Sequence, residues 1–513
     1  MYQNLQNIFV SPYKITTSAL LYIFLAYLAI RIPFLLTHHV QEDAFIAMRA
    51  GLNFFEYGIP SFNIGEIHNP ITSIIWAIIL YVLGVFNPFY LELILATNIL
   101  VVFLAAKISA DSLRDNINIA WLLALLFSSP LLWSSYNGME TCIAIYYVAF
   151  SFYVLRREKF SAGTGFILSF FPLLIRPDLG FVFLLFCLTH LDRIFRQKNY
   201  LYGLLCGGLM GLSIFFGFHQ WSSGQWLPIT ALAKNLSYAP SRDLFSAMHR
   251  WLQICSSSLI WPKTNSIPAF IYLVLNFLPL AFIFCRKFLN SSTLFLYFIG
   301  YVFSFIICYF GGYFEWYFQP SGFAIMLLYM TFGVTILSNN AKIIFFICTY
   351  ILVIVTLFLQ FLISFNTGFQ EKNYRAGIGK WLKINSKPTD TLLLEPAGYI
   401  PYYSGLKTYD EIGLVSSDVF HYLKLYGGNW WPRFVKDFCP TYIVERDPLT
   451  EGKKTGSGYM LNHQDEKFLS ANYSLFKHFS YNPKDFTSNK FSLRLLITSH
   501  SDYYVYRRAG NCK

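Results

Sequence analysis

The chain has 513 residues, of which 55% are hydrophobic and only 13% are charged, and its mean hydropathy is +0.45. Ordinary soluble domains carry roughly a quarter of charged residues, so this composition excludes a soluble monomer. The formal net charge of +12 does not indicate a nucleic-acid partner, because 20 of the 39 Lys and Arg residues follow Asn366 and most of the others lie in short loops. Membrane topology and lipid headgroups explain this charge better.

Nearly uncharged apolar runs recur from Ser18 to Phe365 and predict membrane-spanning helices. The first run, 18–36, lacks a small-residue cleavage site, so we predict a retained span rather than a signal peptide. The predicted spans are 18–36, 89–106, 119–134, 141–155, 162–175, 179–191, 201–218, 267–285, 293–310, 321–337 and 343–364. A further run, 71–86, is ambiguous, because as a helix it reaches about 24 Å and the hydrocarbon core is about 30 Å thick.

The loop charges predict the orientation of the spans. If 71–86 lies along the outer surface, the loops that face the cytoplasm carry 11 Lys and Arg in 39 residues, and the outer loops carry six in 119. If 71–86 crossed the membrane, the later loops would be inverted against the positive-inside bias. We therefore predict eleven spans, with the N-terminus inside and the C-terminus outside.

Two domains are predicted. Residues 1–365 form a transmembrane catalytic domain with a first outer loop at 37–88, and residues 366–513 form an extracytoplasmic domain. In the second domain, short apolar stretches such as 391–394 alternate with Pro, Gly and Asn, which is typical of a small α/β fold. Its aromatic pairs, Tyr402-Tyr403 and Trp430-Trp431, suit either core packing or stacking on sugars.

The first outer loop carries the candidate chemistry. It places the carboxylates Glu42, Asp43, Glu56 and Glu66 directly after a predicted span. Carboxylates at an apolar boundary are partly desolvated, which raises the pKa and makes each a better proton acceptor. The residues alone leave a second interpretation open, in which the loop is simply acidic and solvated.

The order of elements in this loop carries more information than its charge. The loop contains Glu42-Asp43, then Arg49 and Asn53, then Asn63 to Glu66, then a Thr72-Ser73 element that ends at Trp76. This order resembles the first extracytoplasmic loop of GT-C-type glycosyltransferases that use polyprenyl-phosphate sugars, most closely the bacterial cell-wall arabinofuranosyltransferases. Further short matches extend the resemblance over nearly the whole chain: Gly138-Met139-Glu140-Thr141, Arg176-Pro177-Asp178, Leu227-Pro228-Ile229-Thr230 and Gly398-Tyr399. The chain departs from the family at Glu42, where an aspartate is usual, and at Ile74, where a proline is usual.

The resemblance implies an inverting glycosyltransferase in a bacterial cytoplasmic (inner) membrane, with arabinofuranose as the suggested sugar. Its catalytic residues would be Asp43, as general base, with Glu42 or Glu66 orienting the acceptor or tuning Asp43. The donor phosphate would need cations, and the candidates are Arg176, Lys234 and Arg49. Contacts to acceptor or sugar are expected from Glu140, Asn63 and Trp226. Glu140 equally suits capping of a helix.

We expect no cofactor and no metal, since no CxxC motif or His/Cys cluster is present. The expected partners are a lipid-linked sugar donor and a glycan, lipid or protein acceptor. Cys439 and Cys512 could form a disulfide, but Cys255 leaves the pairing open. The alternative function is a lipid-linked glycan flippase or transporter. A transporter should carry ionisable residues near the membrane midplane, whereas the predicted spans contain only Arg31 and Glu92, both near span ends.

Overall fold

The structure is a computed structural model that describes residues 16–38, 40–113, 119–238, 242–256, 269–285, 289–310, 314–335, 368–482 and 501–510, with isolated positions between 344 and 358. The chain divides into two compact units. The first comprises residues 1–36, 91–215 and 241–364. The second comprises residues 37–90, 216–240 and 365–513, so the predicted outer domain belongs to one unit with the first outer loop and a short central segment.

The first unit is helical throughout its described residues. Its helices are Thr17–Ala29, Ile32–Thr37, Tyr90–Leu113, Ile119–Leu126, Ser129–Ser134, Thr141–Arg157, Ala162–Ile175, Leu179–Leu188, Leu191–Arg196, Lys198–Ser223, Leu244–Cys255, Ala269–Phe277, Ser291–Tyr297, Ser304–Tyr309 and Glu315–Thr335. A short 3-10 segment occurs at Leu278–Phe284, and a π-helical turn, Phe298–Phe303, makes 291–309 continuous. The 3-10 segment Asn87–Phe89 belongs to the second unit and leads into the helix Tyr90–Leu113.

Three helices of the described ranges are long and apolar enough to cross a membrane, by length and composition: Asn87–Leu113, Lys198–Ser223 and Ser291–Tyr309. These helices agree with the helical membrane class that the composition predicts, whereas the number of eleven spans stays a prediction. Two predicted spans are interrupted. Segment 18–36 breaks at Arg31, two residues before Pro33, and segment 119–134 breaks before Pro130. Proline has no backbone N–H and therefore cannot continue the hydrogen bonds of a preceding helix. The predicted span 343–364 lies almost wholly outside the described residues.

The second unit contains a five-stranded sheet in the order β2-β1-β3-β5-β4. The strands are β1 Thr391–Leu394, β2 Lys407–Asp410, β3 Tyr442–Glu445, β4 Tyr473–Phe479 and β5 Tyr503–Arg508. The first three are parallel, and β5 and β4 extend the sheet in antiparallel register. The helices of this unit are Glu42–Tyr57, Ile74–Gly84, Ile229–Tyr238, Arg375–Asn385, Tyr399–Ser404, Ser417–Tyr426, Trp430–Phe438 and His463–Asn472.

Alternate residues of β1 face opposite sides of this sheet, as the two-residue period of a strand requires. Leu393 packs in a core with Trp430, Trp431 and Phe434, and Leu392 and Leu394 pack in a second core with the helix Arg375–Asn385. Both faces are therefore covered, which is why β1 is apolar along its whole length. The tryptophan pair belongs to the core and is not exposed for sugar stacking, since Trp430 and Trp431 are buried.

Candidate functional site

The acidic pair opens the helix Glu42–Tyr57, and its two carboxylates have different environments. Glu42 Oε1 accepts backbone N–H bonds from Gly398 and Tyr399, both at 2.9 Å, and Glu42 also pairs with Arg375. Burial raises the pKa of Glu42, and the charge of Arg375 opposes that rise. Arg375 in turn bonds both oxygens of the buried Glu371, at 2.5 and 2.6 Å. Glu42 thus ties the first outer loop to the α/β part of its own unit.

Asp43 instead faces a lysine. Its Oδ2 lies 3.5 Å from Lys234 Nζ, and the two side chains are 27% and 18% exposed, so the pair is accessible. Lys234 is positioned by the helix Ile229–Tyr238, whose Ala233 packs in a core with Ile46. Ser237 Oγ of the same helix donates a 2.9 Å bond to the Ile412 carbonyl. The helix therefore holds a cation beside the carboxylate of Asp43.

Four carboxyl groups lie at the carboxyl ends of the parallel strands: Glu395, Asp410, Glu411 and Glu445. Asp410 accepts backbone N–H bonds from residues 414, 415 and 416, at 2.6, 2.8 and 3.2 Å. Burial nevertheless raises the pKa of Asp410 to about 6. Glu411 accepts a 2.9 Å bond from the indole N–H of a core tryptophan, and Glu445 accepts a 3.0 Å bond from the backbone N–H of residue 456.

Glu395 differs from the other three acids, because its carboxyl group accepts no hydrogen bond from the part of the chain that the structure describes. Burial raises the pKa of Glu395 well above its usual range. The charge of Asp410 adds to this rise, Arg446 opposes it, and Glu411 and Asp43 add to it further. The pKa of Glu395 is thus raised, and Asp43 is near enough for its charge to contribute to the rise.

Tyr238 completes this group from the end of the lysine-bearing helix. Burial raises the pKa of Tyr238 to about 12, with further raising contributions from Glu395, Asp43 and Asp410 and a lowering one from Lys234. Its hydroxyl therefore keeps its proton at neutral pH.

The other candidates from this unit make structural contacts. Arg49 donates to the carbonyls of residues 401 and 406, at 2.8 and 2.9 Å, and lies over the Phe62 ring. Burial lowers the pKa of Arg49 to about 10. Asn63 exchanges 2.8 Å bonds with both backbone groups of Thr408. Glu66 Oε2 accepts from the backbone and hydroxyl of Ser417, both at 3.0 Å. These three side chains are already engaged by protein groups.

Trp226 is 64% exposed and meets Phe216 edge to face, with the ring centroids 6.4 Å apart. It stays a candidate for stacking on a sugar, because a largely free indole face offers that contact. Cys439 is disulfide-bonded and Cys255 is a free thiol, whereas Cys512 lies outside the described residues.

Arg176 and Glu140 belong to the first unit. The Arg176 guanidinium is 1% exposed, bonds Asp178 at 2.6 and 3.0 Å and donates to the Trp316 carbonyl at 3.1 Å. It also lies 4.9 Å from the centre of the Tyr317 ring. Glu140 immediately precedes the helix Thr141–Arg157 and makes no side-chain capping bond. The ion-pair partner that a buried Arg176 requires is therefore Asp178.

Sequence reasoning missed Glu395, Tyr238 and Arg375. A signal for the first was present, because two short apolar stretches each end in an acid, at Glu395 and Glu445. Parallel strands bring their carboxyl ends to one edge of a sheet, where ligands bind in open α/β folds. Among the residues that the structure describes, no group of His, Cys, Asp and Glu has the arrangement of a metal site.

Comparison with known proteins gives limited matches. Residues 363–506 match the family described as "Domain of unknown function (DUF8728)". No curated protein matches the chain. Among solved structures, the arabinofuranosyltransferase AftD from Mycobacteria aligns with a TM-score of 0.42 and 10% identity, over 98% of this chain and 40% of that one. The chain thus spans about two fifths of the length of that protein.

Proposed function

We propose that the chain is a glycosyltransferase that moves a sugar from a polyprenyl-phosphate donor to an extracytoplasmic glycan, lipid or protein. The observation that carries the proposal is the partly exposed Asp43 carboxylate, 3.5 Å from the Lys234 ammonium. A carboxylate and a cation side by side supply the two functions that sugar transfer from a lipid phosphate requires, a proton acceptor and a stabiliser of the departing negative charge. The order of motifs in the first outer loop supports the same reaction.

Asp43 is the general base in this proposal. It takes the proton of the acceptor hydroxyl as that oxygen forms a bond to the anomeric carbon of the donor sugar. The bond between that carbon and the phosphate oxygen breaks at the same time, and the phosphate leaves with the electron pair. Attack opposite the leaving group inverts the anomeric centre.

Lys234 has two roles in this reaction. Its charge attracts the Asp43 carboxylate, 3.5 Å away, and holds the base in position before the transfer. Once Asp43 is protonated, the positive charge of the ammonium stabilises the departing phosphate. Arg49 is a weaker candidate for the phosphate because its donors are directed at carbonyl oxygens. Arg176 stays a candidate on the evidence of the sequence motif alone.

The experiment is a transfer assay with purified protein in detergent, where no transmembrane gradient exists. A short polyprenyl-phosphoryl arabinofuranose is the donor probe and octyl arabinofuranoside is the acceptor probe. We expect transfer by the wild type and a loss of about 10² to 10⁴ in rate for Asp43→Asn, which keeps the shape of the side chain and removes its proton affinity. Glu56→Gln is the matched control, because Glu56 is an exposed carboxylate on the same helix.

A rate for Asp43→Asn within tenfold of the wild type would remove Asp43 from the mechanism. Movement of a labelled lipid-linked sugar across vesicles by the wild type, without any transfer in detergent or vesicles, would instead favour a flippase.

A further inference from the structure

Glu395 occupies a distinctive position in the sheet. It directly follows β1, the central strand of the parallel set β2-β1-β3. The chain runs from β1 to β2 on one side and then returns past β1 to β3 on the other side. Ligands of open α/β sheets bind outside the carboxyl ends of strands where the chain reverses in this way. Glu395 stands at that point.

The connection after β1 brings Glu395 towards the proposed base. Gly398 donates its backbone N–H to Glu42 at 2.9 Å, and Asp43 is the next residue after Glu42. Glu395 lies three residues before Gly398, and three residues of chain reach at most about 10 Å. Asp43 and Glu395 are therefore both close in sequence to the contact between Glu42 and the Gly398 backbone. This agrees with the effect of Asp43 on the pKa of Glu395.

The other acids at this edge accept hydrogen bonds from the protein, whereas the Glu395 carboxyl group accepts none from the residues that the structure describes. Asp410, Glu411 and Glu445 each accept bonds from backbone or indole N–H groups. Residue 456 is a glycine, and a Cβ there would lie 2.5 Å from Glu395 Cβ, so the loop packs on the stem of Glu395. Carboxyl oxygens can accept a hydrogen bond from an alcohol hydroxyl, and a carboxyl group that carries a proton can also donate one.

We propose that Glu395 is an acceptor-binding residue that holds a hydroxyl next to the one that Asp43 deprotonates. The acceptor is then a polyhydroxylated molecule, such as a sugar, in which at least two hydroxyl groups lie close together. The inference rests on the proposed function, because it assigns the acceptor side of the same reaction. Glu395 fixes the orientation of the acceptor, and Asp43 performs the proton transfer.

The test compares Glu395→Ala with the wild type, using the same donor probe and four acceptors: octyl arabinofuranoside and its three monodeoxy forms. Asp447→Asn is the matched control, because Asp447 is a half-exposed carboxylate of the same unit that pairs with Lys453. With the full acceptor, we expect Glu395→Ala to raise the acceptor KM about tenfold and to leave kcat within a few-fold, as for loss of one well-formed hydrogen bond. Hydrolysis of the donor by water should be unchanged.

One monodeoxy acceptor should have an equally high KM with the wild type and with Glu395→Ala, since the hydroxyl and the carboxyl are the two halves of one contact. Equal KM values for the full acceptor and every reactive monodeoxy form, measured on the wild type alone, would overturn the inference whether or not the variant folds. An unchanged KM in a folded Glu395→Ala would also overturn it. Absence of transfer by the wild type with all four acceptors would count against the proposed function itself.

Discussion

Arg375 offers the sharpest test of how the second unit is held together. It lies between the carboxylates of Glu42 and Glu371, and the three side chains are 14%, 14% and 2% exposed. Removing the cation leaves two carboxylates close together in a poorly solvated place. Breaking a buried ion pair from one side costs about 3 to 5 kcal/mol, and we expect this loss for Arg375→Met. In a unit of this size, that corresponds to a fall in Tm of roughly 6 to 20 °C.

The pH dependence of the loss has a defined sign. The folded-state pKa of Glu42 is raised above its usual value of 4.5. The stability that Glu42 contributes is therefore fully present below that value and is lost as the pH rises through the folded-state pKa. Arg375 lowers this pKa, so its removal should raise the folded-state pKa of Glu42 further. The stability that is lost as the pH rises should then be larger. The part of the Arg375→Met deficit that comes from Glu42 should thus be smallest near pH 4 and largest at neutral pH.

The assay is thermal unfolding of the purified protein across pH, with Lys383→Met as control because Lys383 is an exposed cation on the same helix. Adding Glu42→Gln to Arg375→Met should restore part of the lost stability, since it removes one unpaired carboxylate. If Arg375→Met and Lys383→Met had equal Tm values at pH 7, the buried ion cluster would not be a major source of stability.

Two further predictions concern stability. Gly211→Val should destabilise the protein by about 1 to 3 kcal/mol more than Gly217→Val, a change in the same helix, Lys198–Ser223. A Cβ at Gly211 would lie 2.6 Å from the Phe170 carbonyl oxygen, whereas a Cβ at Gly217 would meet no atom within 4 Å. Equal Tm values for the two variants would contradict this close helix contact. Burial lowers the pKa of His68 from 6.5 to about 4, so its contribution is fully present above pH 6.5 and is lost as the pH falls towards 4. Thermal unfolding of His68→Gln should therefore show a smaller loss on acidification than the wild type, and parallel pH profiles would refute this.

The pattern of the C-terminal region predicted a small α/β fold, and the structure shows a small sheet there, because short apolar stretches such as Thr391–Leu394 are typical of buried strands. The sequence did not predict the order of the strands in the sheet. This order depends on contacts between β1 and β3, which are separated by about fifty residues of chain and leave no local pattern. The interruptions of the predicted spans were visible in principle, since Pro33 and Pro130 stand near each break.

For the site, the sequence by itself determined that acids and cations flank the apolar segments, because charged groups cannot remain in hydrocarbon without a partner. The sequence could not assign different roles to Glu42 and Asp43, because both are carboxylates at adjacent positions of the chain. The tertiary structure decided this through distant residues: Arg375 and the backbone at Gly398 engage Glu42, and Lys234 approaches Asp43. It also brought Glu395 towards them. Burial and partners determine the pKa and availability of a carboxyl group, and both arise only when segments far apart in the chain pack together.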